Sequence, residues 1–306
     1  MYRASRREVL SALALLPLAV AMPRLAFSQE TKPFVTRPIG SRGQVPLIGI
    51  GTARNYANPQ TPEDYAPLRA TLARFAERGG KVVDTAPSYG RAEEVVGQLV
   101  EELGIRDRLF LATKVGADNL EQGKAQIASS FEKLRTDHID LIAVHNLRDT
   151  ANALAYLRDL RAQGRIGAVG MTTSSDEQYE DFVQAMAREQ VDAIQVDYAL
   201  DNRNAAARIL PMAMERGIPV MINLPFGRGR LFSATQGLAL PGWAGEIGAT
   251  TWAQVFLKYI VSHPSQPIAI PGTDKVEYVE DNLAASRTPM PDEAMRRQME
   301  AFIDAL

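Results

Sequence analysis

From residue 44 onward, short apolar runs alternate with helix-period stretches, and this alternation restricts the chain more than any other feature. The strand-like runs are 47–51, 82–84, 109–114, 139–145, 168–172, 193–198, 220–223 and 268–271. Between the first two, Leu68, Leu72 and Phe75 fall at i, i+4 and i+7 before a stop at Gly79-Gly80. Leu154, Leu157 and Leu160 repeat the pattern, and Val255, Phe256, Tyr259 and Ile260 mark the helix before the last run. Apolar content on both faces of the runs is what a parallel sheet requires. Eight such strand–helix units in about 240 residues predict one α/β domain, a closed (β/α)8 TIM barrel. An open doubly wound sheet would carry G-x-G-x-x-G after its first strand, and Gly49-Ile50-Gly51-Thr52-Ala53-Arg54 lacks the third glycine. Residues 34–38 and 40–43 predict a small N-terminal hairpin capping the barrel floor, and 292–305 a closing C-terminal helix. The longest irregular stretch is expected at 225–248, which is glycine-rich and bears Arg228 and Arg230.

Residues 1–28 stand apart from this pattern. Ser5-Arg6-Arg7 precedes an apolar run from Leu10 to Met22, and Ala26 and Ser28 are spaced as at a cleavage site. That run is short for a membrane span and suits a signal-peptide core. The adjacent arginines point to the twin-arginine export machinery as a partner, hence to a periplasmic or otherwise exported protein with no stable membrane insertion after cleavage. The domain organisation expected is therefore a signal peptide at 1–28 and a single barrel at 29–306. With 34 Lys+Arg against 36 Asp+Glu, a formal net charge of −2 gives no reason to expect nucleic acid. The chain has no cysteine, which excludes a disulfide framework, a thiolate nucleophile and a cysteine-held metal.

Active sites of barrels form where strands end. Asp84, Lys114 and His145 close the second, third and fourth runs, 30 and 31 residues apart, so adjacent strands present them side by side. Tyr89 follows Asp84 by five residues in a loop marked by Pro87 and Gly90. A phenol with its ordinary pKa of about 10 is a poor acid for a carbonyl oxygen at neutral pH. A nearby ammonium favours phenolate and brings the phenol toward the working range, and a carboxylate keeps that buried ammonium charged. A histidine beside them can hold the substrate oxygen. The four together suit hydride delivery to an aldehyde or ketone, a small-molecule carbonyl substrate.

Several segments carry a resemblance to a known family. KVVDTAPSYGRAEEVVGQLV (81–100), LFLATKVG (109–116), HIDLIAVHNL (138–147), RAQGRIGAVGMTTS (161–174), DAIQVDYAL (192–200) and IPGTDKVEYVEDNLAAS (270–286) resemble, in order, the motifs of the aldo-keto reductases. The resemblance implies NAD(P)H-dependent carbonyl reduction or the reverse alcohol oxidation, without a metal. Tyr89 would be the proton donor, Lys114 and Asp84 its tuning pair, and His145 the group orienting the carbonyl. Thr172, Thr173 and Gln195 would meet the nicotinamide carboxamide. Pro225 leads into a loop, Gly227, Gly229, Arg230 and Leu231 included, that would wrap the pyrophosphate. Gly272, Thr273 and Asn282 would lie toward the adenosine end.

The departures from the family pattern all fall on the cofactor side. Thr172-Thr173 stands where a serine–asparagine pair is common. Asn223 stands where an aromatic ring usually stacks on the nicotinamide, and Tyr278 where an arginine often grips a 2′-phosphate. The choice between NADP and NAD is therefore open. Export adds a demand, since an exported enzyme needs either a tightly held preloaded dinucleotide or another redox partner. The rival function is an exported ligand-binding or sensory barrel with little turnover, which the altered cofactor side favours and the tuned phenol disfavours. Tyr56, Phe226 and Trp243 are candidates for an apolar substrate wall.

Overall fold

A computed structural model describes residues 32–40 and 43–306; the expected signal segment at 1–28 lies outside the described residues. Eight parallel strands form one sheet: β3 (Ile50–Gly51), β4 (Val82–Asp84), β5 (Phe110–Val115), β6 (Ile139–His145), β7 (Ile166–Thr172), β8 (Ala193–Asp197), β9 (Val220–Asn223) and β10 (Ile268–Ala269). Each pairs with its neighbour in chain order, and the first and last also meet. Gly49 N donates to Ala269 O at 2.8 Å, Ala269 N to Leu47 O at 2.9 Å and Gly51 N to Pro271 O at 3.1 Å. The sheet is thereby the closed barrel expected from the alternation.

The two glycines of the first strand belong to this closure. A Cβ on Gly49 would stand 2.8 Å from the carbonyl oxygen of Val82, and one on Gly51 would stand 2.7 Å from that of Ile270. The G-x-G there lets three strand backbones approach; it is a packing device. Regular pairing in β3 covers only 50–51, shorter than the expected 47–51, with residue 48 joined to Ala269 by an isolated bridge.

Helices cover the outside: α1 (Pro62–Glu77), α2 (Ala92–Leu103), α3 (Leu120–Lys133), α4 (Thr150–Ala162), α5 (Tyr179–Arg188), α6 (Ile209–Glu215), α7 (Arg230–Ala234), α8 (Trp252–Val261) and α9 (Val276–Ala284). The helix α1 starts because Thr61 caps Asp64 N while the Asp64 carboxylate accepts from Thr61 N, with Pro62 opening the first turn. Its Leu68, Leu72 and Phe75 are buried, as the spacing predicts. The stretch 225–248 is less irregular than expected, for it holds α7 and two single-turn 3-10 segments. A five-residue helix is too short to show a period in sequence.

The hairpin is also present: β1 (Thr36–Pro38) pairs antiparallel with β2 (Gln44–Pro46). Arg37 Nη1 donates to the carbonyls of Ser265 and Gln266, each at 2.7 Å, just before β10. Lys81 Nζ donates to Gln44 O at 2.7 Å, just before β4. Both ties are at the strands' amino ends, opposite Asp84. At the other terminus α10 (Glu293–Asp304) is capped by Asp292 and docks through Arg296, which donates to Tyr198 Oη at 2.8 Å.

The crossing of α2 on α3 depends on Gly97, where an added Cβ would stand 2.1 Å from Lys133 O and 2.7 Å from the backbone of Leu134. Gly97→Ala gains about 1 kcal/mol of helix propensity. Two backbones must separate to admit the methyl, costing about 1–3 kcal/mol. The urea midpoint is therefore expected to fall; a midpoint at or above wild type would show that the helices part freely.

Candidate active site

The strand ends deliver the expected groups to one place. β4 ends on Asp84, β5 carries Lys114 and β6 ends on His145. Lys114, 1% exposed, sets its Nζ 2.9 and 2.8 Å from the two Asp84 oxygens and 2.9 Å from Thr85 O. The loop after β4 then folds back. Tyr89 N bonds Ala86 O at 3.0 Å, and Gly90, at φ 59°, packs on the carbonyl of Ala57 with no room for a side chain. The Tyr89 ring consequently lies over Lys114, with Nζ 4.9 Å from its centroid. His145 meets that ring edge-on, centroids 6.4 Å apart. Asp84, Tyr89, Lys114 and His145 thus share one rim.

Electrostatics separates their roles. Burial works against the Lys114 ammonium, but the Asp84 carboxylate and the Tyr89 phenol outweigh it and hold its pKa above the ordinary value. His145 moves the other way: burial first, then the positive charges of Lys114 and Arg148, push it down to about 4. A base with a depressed pKa stays neutral above that value, so His145 is an uncharged imidazole through the neutral range. No histidine inflection near pH 6.5 is expected in the rate of carbonyl reduction. An inflection there that disappears in His145→Gln would overturn the neutral assignment.

Behind the rim, Gln195 Nε2 donates to Asp84 Oδ1 at 2.9 Å, and Thr172 Oγ1 donates to Gln195 Oε1 at 2.9 Å. In front lies a cavity of about 460 Å³ bounded by Asp84, Tyr89, His145, Thr172, Gln195, Asn223, Pro225, Gly229 and Gly272 among the expected residues. Others stand away from it. Thr173 is buried and gives its hydroxyl proton to Gln178 Oε1 at 2.6 Å. Gly227 packs on the Asp201 carboxylate, Arg230 Nε is 2.8 Å from Asp201 Oδ2, and Leu231 is buried. Thr273 turns to the backbone of Lys275, Asn282 is buried in α9, and Tyr278 is exposed beneath the Lys275 ammonium. Of the three aromatic candidates only Phe226 borders the cavity. Tyr56 is wholly buried, and Trp243 packs edge-on against Phe302.

The sequence reading missed Arg54, Asn55, Ser174 and Phe232, which also line the cavity. Arg54 and Asn55 directly follow the first strand, so applying the strand-end rule to every strand would have found them. Phe232 had no such signal: it reaches the cavity because Gly227, Arg228 and Gly229 all adopt positive φ, turning the chain sharply into α7.

A model of the aldo/keto reductase family matches residues 47–302, and the chain belongs to that family. Aldo-keto reductase YhdN of Bacillus subtilis (strain 168) is 32% identical over 202 residues, covering 60% of this chain and 59% of YhdN, so the chain spans about three fifths of that relative. Aldo-keto reductase str7 of Strobilurus tenacellus is 29% identical over 254 residues, 69% of this chain and 73% of its own. Among solved structures, an aldo/keto reductase of Klebsiella pneumoniae in complex with NADP and acetate superposes with a TM-score of 0.76 at 27% identity, covering 87% of this chain and 94% of that one.

The residues bordering the cavity fit a nicotinamide dinucleotide. Asn223 donates through Nδ2 to Thr173 O at 3.2 Å, which leaves its buried Oδ1 without a partner at the cavity wall, an acceptor suited to a carboxamide N–H. Arg54 and Arg228 supply positive charge for a diphosphate, and the Phe226 and Phe232 rings, 4.8 Å apart, supply aromatic surface.

Proposed function

We propose that this chain is an NAD(P)H-dependent oxidoreductase that reduces an aldehyde or ketone to an alcohol, or catalyses the reverse oxidation. The single observation that carries the reading is a buried lysine ammonium, locked on a carboxylate, beneath the ring of an accessible tyrosine. A reduced nicotinamide dinucleotide, when bound, supplies the hydride to the carbonyl carbon. Everything else falls to the chain. Neutral His145 donates a hydrogen bond to the carbonyl oxygen and fixes it facing Tyr89. As negative charge grows on that oxygen, Tyr89 releases its hydroxyl proton to it. Lys114 stabilises the phenolate left behind, and Asp84 keeps Lys114 charged and in place. Alcohol oxidation runs the same proton transfer backwards.

Asn223, Arg228 and Gly229 would hold the dinucleotide's nicotinamide and diphosphate parts. NADP is bound in the Klebsiella neighbour, whereas an Escherichia coli relative, 26% identical over 202 residues, is named an NADH-specific methylglyoxal reductase. Tyr278 in place of a 2′-phosphate arginine, with Lys275 beside it, leaves both within reach of this chain. A cavity of about 460 Å³ that must also admit the nicotinamide ring leaves room for a small carbonyl compound, and methylglyoxal is the first probe to try. Titration calorimetry with NADPH and NADH, followed by absorbance assays over a panel of aldehydes and ketones, tests the reading. Dinucleotide binding without turnover of any carbonyl would favour a sensory barrel instead.

Residues 1–28 are proposed to direct the folded enzyme through the twin-arginine route to the periplasm, carrying its dinucleotide preloaded. Replacing Arg6 and Arg7 with lysines should retain the precursor inside the cell. Mass spectrometry of small molecules extracted from the periplasmic protein should find a dinucleotide, and its absence would count against preloading.

A further inference from the structure

Gln195 is placed by family resemblance among the residues that meet the carboxamide, yet its own amide is engaged at both ends. Its Nε2 faces Asp84 Oδ1 and its Oε1 faces Thr172 Oγ1, each at 2.9 Å. A carboxylate can only accept, so the NH2 end must point at Asp84 and the oxygen must accept from the Thr172 hydroxyl. All three side chains are buried. The direction of the chain is therefore fixed: Thr172 to Gln195, Gln195 to Asp84, with Lys114 donating to Asp84 from the far side.

We propose that Gln195 is a positioning residue for the proton donor, acting on Tyr89 through Asp84 and Lys114. The proposal rests on Tyr89 being that donor. Two effects of the Gln195 amide act in the same sense. It pins Oδ1, so that the carboxylate cannot rotate away from its two-oxygen grip on Lys114. It also draws off part of the carboxylate's negative charge, which would otherwise oppose a phenolate above Lys114. The threonine at 172 orients the amide, giving that departure from the family pattern a role in the acid's support. The nicotinamide carboxamide would then fall to Asn223, whose buried Oδ1 has no hydrogen-bond partner.

The test measures kcat and KM for carbonyl reduction in wild type, Gln195→Met, Thr172→Val and the double variant, with Tyr89→Phe as reference. Dinucleotide affinity is measured on each by calorimetry. Without Gln195 the phenolate is less favoured, and proton delivery from Tyr89 slows. The kcat drops about tenfold, the scale of one hydrogen bond to a charged group. KM and dinucleotide affinity stay near wild type. Thr172→Val moves the same quantities less, and the double variant is no worse than Gln195→Met alone, because Thr172 acts through Gln195.

A variant with unchanged kcat and weakened dinucleotide binding would overturn the proposal and return Gln195 to the carboxamide. Should Gln195→Met fail to fold, Thr172→Val decides: an unchanged kcat there overturns it equally. Wild-type turnover in Tyr89→Phe would instead sink the assignment of the acid, an outcome separate from either.

Discussion

Tyr89→Phe lowers kcat for carbonyl reduction about a thousandfold while dinucleotide affinity and thermal stability stay near wild type; this is the expected result. The substitution deletes one hydroxyl and keeps the ring, including the ring's position 4.9 Å from the Lys114 ammonium and edge-on to His145. What disappears is the hydroxyl of the ring that lies over the buried Lys114 ammonium. Residual turnover would draw its proton from water, oriented by His145 alone. A steady-state assay beside a binding titration checks the split. If kcat survives, the proton comes from elsewhere, and the buried ion pair has another purpose.

Lys114→Met has a comparable effect on rate and a much larger one on stability. Removing the ammonium leaves a carboxylate only 4% exposed with Gln195 as its remaining side-chain donor, and frees the carbonyl of Thr85. Breaking a buried pair from one side costs about 3–5 kcal/mol. Removing both partners, as in Asp84→Leu with Lys114→Met, should recover most of that loss, because no uncompensated charge remains inside. It should recover none of the activity. Urea denaturation of the single and double variants measures the first statement, and turnover the second. A single variant within about 1 kcal/mol of wild type would mean that water reaches Asp84, contrary to its burial.

The barrel and the rim that gathers Asp84, Tyr89, Lys114 and His145 were legible for a common reason. Alternation of apolar runs fixes which strands are neighbours, and a residue at a strand's end has only one place to go. Asp84, Lys114 and His145 needed nothing more than that. Tyr89 required one further step, the turn signalled by Pro87 and Gly90. The cofactor side yielded less because its residues sit on long connections whose direction depends on backbone dihedrals. Arg230 faced a phosphate in the sequence reading and an Asp201 carboxylate in the structure, since three successive positive φ values re-aim the chain before it. Gln195 illustrates another gap: its partner Asp84 is 111 residues away across the barrel, and pairing between non-adjacent strands leaves no trace in local pattern. The glycines at 49 and 51 were rightly refused as a phosphate fingerprint, but the crowding of Val82 and Ile270 that demands them is visible only in three dimensions.

β3 and β10 are two-residue strands that meet through isolated bridges, Ile48 with Ala269 and Gly51 with Gly272, and Gly51, Ile270 and Gly272 there also line the cavity. A guest bound against those residues would bridge the beginning and the end of the polypeptide circle. Its departure and the loosening of the hoop would favour one another, so a loaded molecule should resist heat and proteases longer than an empty one.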